Sequence, residues 1–274
     1  MSLTVNTNIA SMSAANSLNK TQGSLSATLS RVSSGLRVTK AADDAAGSAV
    51  AMNLNTTARS GRQAIRNSND GVSVIQTAES ATKEVLSILD RLRELAVQSG
   101  SDTLADDERA YIQAETNQLV SEVDRIAESS EFNGIALSNG DNTSLTVQVG
   151  VDGTSTSQID ISLGDLGQSA LSIQALVLST ATGARSAIGT VDSAIDSVNN
   201  IRANYGAVQN RLDSSIRNMS TYVESLTAAA SQIMDADYAH ETAEMTRLQV
   251  MQQAGVAALS QAKGINQSVV SLLG

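Results

Sequence analysis

Few side chains in this sequence could do chemistry. His240 is the sole histidine and cysteine is absent, so neither a second imidazole nor a thiolate is at hand to complete a metal site, and no cysteine nucleophile or disulfide exists. His240 therefore reads as a solvated or capping residue. Asp43-Asp44, and Asp235 with Asp237, are the carboxylate pairs that could serve acid–base work or hold a cation. Adjacent residues of a helix do not face each other, and no oxygen-rich loop of EF-hand spacing surrounds them. A turn, a helix cap or a subunit contact accounts for them better than catalysis. Serine and threonine are plentiful, yet no Gly-x-Ser-x-Gly elbow or phosphate-cradling glycine loop accompanies them. Asn142-Thr143-Ser144 matches the N-glycosylation acceptor pattern, which arises often by chance. The residues predict no enzyme, no metal and no cofactor.

What the sequence does carry is helical periodicity. Steps of three and four from Ile188 land on Val191, Ile195, Val198, Arg202, Tyr205, Gln209, Leu212, Ile216, Met219, Val223, Leu226, Ala230 and Ile233, a seam of coiled-coil spacing with polar exceptions. At 1.5 Å per residue a helix over Ile188 to Ile233 is on the order of 70 Å long, which predicts an elongated rod of antiparallel helices rather than a compact domain. Hydrophobic residues make up 41% of the 274 but aromatics only 2%, and proline is absent. That composition suits helix seams and uninterrupted helices.

Charge divides the chain. Lys20, Arg31, Arg37, Lys40, Arg247 and Lys263 lie outside the span from Asp43 to Glu244, which holds all 28 acidic residues and the other twelve basic ones. The ends carry +6 and the middle −16, giving the net −10. An acidic body argues against nucleic acid as a partner. Ends of low charge and amphipathic spacing are expected to be covered by something. There is no cationic, then apolar, leader at Met1 to Lys20 and no run of about 18 apolar residues, so no membrane insertion is predicted; by the usual rule such a chain is cytoplasmic.

In chain order, Ala15, Leu18, Gln22, Leu25, Leu29, Val32 and Leu36 form an N-terminal ladder with Gly35 as its stop. Val50 to Gly71 is helix-compatible, and a stronger helix follows Asn69-Asp70-Gly71 with Val72, Ile75, Leu86, Leu89, Leu92 and Leu95 on its apolar side, ending near Gly100. Thr103 reads as the N-cap of the next, with Asp106, Asp107 and Glu108 in its first turn. Leu145, Val147 and Val149, then Ile159, Ile161 and Leu163, alternate with polar residues around Asp152-Gly153. This is a β-hairpin within about 139–165, the one β element expected. At the far end Met245, Leu248, Gln252, Gly255, Leu259 and Ala262 repeat the helical spacing and lead to Val269, Val270, Leu272 and Leu273. Both termini are placed together at one end, as amphipathic helices too marginal to stand alone in water.

Several ordered motifs then identify a family. Ser33-Ser34-Gly35-Leu36-Arg37, Ala42-Asp43-Asp44-Ala45-Ala46-Gly47 and Ile75-Gln76-Thr77-Ala78-Glu79 resemble the amino-terminal signature of bacterial flagellin, as do Arg93-Glu94-Leu95-Ala96-Val97-Gln98, Glu131-Phe132-Asn133-Gly134, Gly206-Ala207-Val208-Gln209-Asn210-Arg211-Leu212 and Gln252-Gln253-Ala254-Gly255. Met234-Asp235-Ala236-Asp237 and Ala262-Lys263-Gly264-Ile265-Asn266-Gln267 depart from the usual pattern near the carboxy-terminal helix.

The resemblance implies a structural subunit that self-assembles into the extracellular filament of the bacterial flagellum for swimming, in a minimal member with only the core domains. It implies an inner domain of residues 1–44 and 235–274 and an outer helical domain of 45–234. Subunit contacts are expected at Leu18, Leu25, Leu29, Val32, Leu36, Asp43, Met245, Leu248, Leu259, Val269, Leu272 and Leu273. Export unfolded through the flagellar type III apparatus replaces the cytoplasmic placement. Expected partners are further copies, an export chaperone on the C-terminal helix, and the filament cap and hook–filament junction proteins. Arg91, Leu95 and Glu115 match the patch read by the flagellin-sensing Toll-like receptor, and Leu272-Leu273 resembles the segment read by cytosolic inflammasome sensors. The alternative reading is a cytoplasmic signalling coiled coil of the chemoreceptor kind, which a β-hairpin does not suit.

Overall fold

A computed structural model describes residues 7–273, with side chains as far as Gly264. The chain is mainly α: α1 (Ile9–Ser34), α2 (Ala45–Ser99), α3 (Asp106–Ser129), α4 (Ala181–Met234) and α5 (Tyr238–Leu273). Two small antiparallel pairs, β1 (Glu131–Phe132) with β2 (Ile135–Ala136) and β3 (Ser144–Gln148) with β4 (Gln158–Ser162), supply the β structure. The chain divides into two compact units, residues 1–56 with 225–274, and 57–224.

In the second unit α2, α3 and α4 enclose the core. One cluster joins Leu89, Leu92 and Leu95 of α2 to Val120 and Val123 of α3 and to Val191 and Val198 of α4. A second joins Ile75 of α2 to Ile161 of β4 and to Tyr205 and Leu212 of α4. Every residue of the 3,4 seam in α4, from Ile188 to Ile233, is buried or half-buried, as its spacing requires. Buried Tyr205 keeps its hydroxyl satisfied by accepting the Gly164 N–H at 3.1 Å, and burial raises its pKa above 10.0.

The hairpin pairs in one register, Leu145 with Ile161 and Val147 with Ile159, so the alternating residues face the helices together. The extra pair β1–β2 arises at Asn133-Gly134, both at positive φ (50° and 78°), a two-residue hairpin turn.

Two local expectations are corrected, and one element is new. Asn69-Asp70-Gly71 does not interrupt the helix, because α2 runs unbroken through it. A Cβ on Gly71 would lie 3.1 Å from Val147 and 3.4 Å from Leu212, so this glycine permits a close approach of hairpin and helix rather than ending anything. The N-cap of α3 is Ala105, not Thr103, whose hydroxyl is engaged 2.7 Å from that of Ser101; Glu108 reaches back to the Ala105 N–H at 3.0 Å. Between β4 and α4 an irregular strap, unremarkable in sequence, buries Leu166, Leu171, Ile173, Leu176 and Leu178 in the first cluster. Its backbone is tied down by Asp124, which accepts the Gln168 N–H at 3.2 Å, and by Gln113, whose amide donates to Leu176 at 3.0 Å.

Candidate subunit interface

The first unit is built on α1 and α5, which pack antiparallel. Asn8 donates to the Ala262 carbonyl at 2.9 Å, Gln22 meets Gln252, and Arg31 lies 3.6 Å from Glu241. Asn8 also caps α1 by accepting the Ser11 N–H, and Gly35, at φ 71°, ends it in the left-handed conformation. The two helix breaks lie side by side. Arg37 donates its N–H to Met234 and its guanidinium to Ile233, Ala236 donates to Gly35, and Leu36 bridges Asp235.

The carboxylates read earlier as turns or caps take those roles. Asp44 accepts the Gly47 N–H at 2.8 Å at the start of α2, and Asp237 accepts those of Ala239 and His240 at the start of α5. The Asp43 carboxylate accepts from the Lys40 N–H at 3.0 Å and from the Thr39 hydroxyl and N–H. These bonds hold its pKa below the ordinary 3.8 and fold the loop 39–43 around it. Asp235 accepts the Ser231 hydroxyl at 2.6 Å. No carboxylate pair here is arranged to share a proton.

Among the described residues of this unit, the buried hydrophobics are Val38, Ala51, Ala230 and Leu248. Only Leu248 belongs to α1 or α5. The described part of the pair thus leaves several large apolar side chains in water. Ile9, Met12 and Leu29 on α1, Val50 and Met52 at the start of α2, and Tyr238, Val250, Met251 and Val256 on α5 are all exposed, Ile9 at 72% and Met52 at 65%. A contiguous unit carrying this much uncovered aliphatic surface marks an interaction face.

Of the residues expected at subunit contacts, Leu18, Leu25, Val32, Leu36, Met245 and Leu259 are half-buried, while Leu29 and Asp43 are exposed. The α1 ladder is broken at one step: Thr28 is buried there and Leu29 is exposed. Leu248 is already covered within the chain. The side chains of Val269, Leu272 and Leu273 lie outside the described residues. The exposed apolar residues Ile9 and Met12 of α1, Met52 of α2 and Val256 of α5 were not singled out by motif reading; they lie off the α1 and α5 ladders.

In the second unit Arg91 pairs with Glu115 at 2.8 Å and with Glu94 at 3.1 Å, and these partners raise its pKa. Leu95, grouped with them from the sequence, is 1% exposed and packs in the core. Its side chain presents no surface, so the patch reduces to Arg91 and Glu115.

Comparison with known proteins identifies the family. The bacterial flagellin N-terminal helical region matches residues 5–143, and the bacterial flagellin C-terminal helical region matches 188–273. A flagellin of Halalkalibacterium halodurans is 40% identical over 89% of this chain and 90% of its own. A flagellar filament 33 kDa core protein of Treponema phagedenis is 37% identical over 98% of this chain and 99% of its own. The crystal structure of Bacillus cereus flagellin superposes with a TM-score of 0.50 at 27% identity, over 56% of this chain and 88% of that one. Nothing in these matches favours the signalling coiled coil. The chain belongs to the bacterial flagellin family, the structural subunits of the extracellular flagellar filament.

Proposed function

We propose that the filament is closed by the terminal helices, with residues 1–44 and 235–274 forming its inner layer and 45–234 its outer layer. The observation that carries this is that among the described residues α1 and α5 together bury one hydrophobic residue, Leu248, while leaving Ile9, Met12, Leu29, Val250, Met251 and Val256 in water. At roughly 25 cal/mol per Å² of apolar surface covered, neighbours seated on these faces gain several kcal/mol per subunit. Ordering of marginal helices is thereby coupled to assembly.

On this reading the chain is secreted through the flagellar type III route and has four kinds of partner. These are further copies of itself, an export chaperone that shields the C-terminal helix before secretion, the cap under which subunits add, and the hook–filament junction proteins. Recognition by a host Toll-like receptor rests on Arg91 and Glu115 alone, given the burial of Leu95. The purified full chain, concentrated or seeded with filament fragments, is expected to form long tubes by negative-stain microscopy. Short rods or dimers at every concentration would count against the filament reading.

A further inference from the structure

Two asparagines of the chain precede glycine, in Asn133-Gly134 and Asn139-Gly140. In such a pair the glycine nitrogen can attack the side-chain amide carbon of the asparagine and close a five-membered ring, and no β-carbon on the second residue hinders the approach. The fold places the two pairs in different surroundings.

Asn133 and Gly134 are the exposed central residues of the turn between β1 and β2, at φ 50° and 78°. Among the described residues the Asn133 side-chain amide has no hydrogen-bond partner. A Cβ built on Gly134 would meet nothing within 4 Å, the Glu131 carboxylate included. The strands that hold this turn are two residue pairs long, Glu131 with Ala136 and Phe132 with Ile135, so local opening lets Asn133 reach the ring-closing geometry at small cost.

Asn139 is half-buried and its amide is held at both ends by one residue. Its Oδ1 accepts the Asp141 N–H at 3.1 Å, and its Nδ2 donates to the Asp141 carboxylate at 2.6 Å. Asp165 crowds the same pair, since a Cβ on Gly140 would lie 2.6 Å from its Oδ2. Attack requires the glycine N–H to lose its proton, and two carboxylates close by disfavour the resulting anion.

We propose that Asn133 is a site of slow spontaneous covalent modification with solvent water as its one co-reactant, and that the fold protects Asn139 from the same reaction. The Gly134 nitrogen bonds to Cγ of Asn133 and gives up its proton, the Cγ–Nδ2 bond breaks, and Nδ2 leaves as ammonia. Water then opens the cyclic imide. Cleavage between the Gly134 nitrogen and Cγ gives aspartate; cleavage between that nitrogen and the Asn133 backbone carbonyl carbon gives isoaspartate, whose main chain runs through Cβ and Cγ. One water is consumed and one ammonia released, with no oxidant or reductant.

Either product adds a negative charge to the turn, and isoaspartate also lengthens its backbone by one carbon, which a two-residue turn does not absorb. The damage stays local. Below the turn the Leu137 N–H donates to the Ser130 carbonyl at 2.9 Å and Asn142 donates to the Ala136 carbonyl at 3.1 Å, while Leu137 remains in the second cluster. The turn thus records the age of the molecule without unfolding it, whether or not the chain is in a filament.

The test incubates the purified full chain for weeks in mildly alkaline buffer and locates the replacement of –NH2 by –OH by tandem mass spectrometry. Conversion at Asn133 should run at least about tenfold faster than at Asn139, where two hydrogen bonds must first be released. In denaturing urea the two sites should convert at similar rates, because both are then Asn-Gly in an open chain. Asp141→Ala, which frees the Asn139 amide, should speed conversion at Asn139 several-fold and leave Asn133 unchanged. Asn133→Gln, whose ring would need six members, should abolish conversion at that position. Circular dichroism should be unchanged by conversion, and loss of helix would contradict the local character of the mark. No conversion at Asn133 in the folded chain, equal rates at the two sites there, or an Asn139 rate indifferent to Asp141→Ala would overturn the proposal.

Discussion

A chain lacking the residues before Leu36, or those after Met245, should remain a soluble, helical and cooperatively melting protein that forms no filaments. Its folded core survives because the second unit has its own clusters, around Leu89, Leu92 and Val191 and around Ile75, Ile161 and Tyr205, none of which uses α1 or α5. What disappears is the unit that leaves Ile9, Met12, Val250 and Val256 uncovered. Loss of either partner exposes still more of the other, and an isolated amphipathic helix of this kind is marginal in water. Circular dichroism, sedimentation and electron microscopy read the three outcomes separately. Filaments of normal radius from a truncated chain would show that the terminal helices are not the adhesive.

Arg109→Ala should be the most damaging change among the arginines of the second unit, lowering its stability by about 3 kcal/mol in denaturant unfolding. Arg109 is 5% exposed, and its guanidinium donates to the carbonyls of Ser99 and, at 2.9 Å, of Leu104, with Asp106 at 4.0 Å. It thereby satisfies the last carbonyl of α2 and the turn that reverses the chain into α3. The same turn is held from the other side by Arg185, which donates to Gly100 at 3.2 Å and to Asp102 at 2.8 Å, and by the Ser99 hydroxyl, which donates to Leu178. Alanine removes every donor and leaves buried carbonyls unpaired. Lysine retains a charge but cannot span both acceptors with a planar fork, and should recover only part of the loss. Arg185→Ala, at an exposed pair, should cost well under about 1 kcal/mol. Equal effects of the two substitutions would contradict the importance given to burial.

How much of this was legible in the sequence depended on the range of the interaction. Features set by nearest neighbours could be read directly: the seam of α4 from its 3,4 spacing, the two strands of the hairpin from alternation, the end of α1 from Gly35. Features set by distant contacts were not legible. Gly71 looks like a stop beside Asn69 and Asp70, but its lack of a side chain is used by Val147 and Leu212, far away in the chain. The strap holding Leu166 and Leu178 has no period of its own; it follows the groove between α3 and α4 and is fixed by Gln113 and Asp124.

The site divides in the same way. Motif reading found the half-buried ladder of Leu18, Leu25 and Val32, which the chain largely uses for its own helix pairing. The surface left for neighbours lies on other faces, at Ile9, Met12, Met52 and Val256. Leu95 shows the converse error: a position matched by motif alone points into the core, because the 3,4 pattern that places it on the apolar side of α2 outweighs its charged neighbours.

Methionine oxidation tests the central claim most directly, because Met12, Met52 and Met251 report from three of the uncovered helix faces, at 60%, 65% and 43% exposure. Oxidant applied to monomer and to filament, read by mass spectrometry, should modify all three readily in the monomer and slow at least tenfold in the filament. Equal rates in the two forms would mean that copies of the chain do not cover these faces.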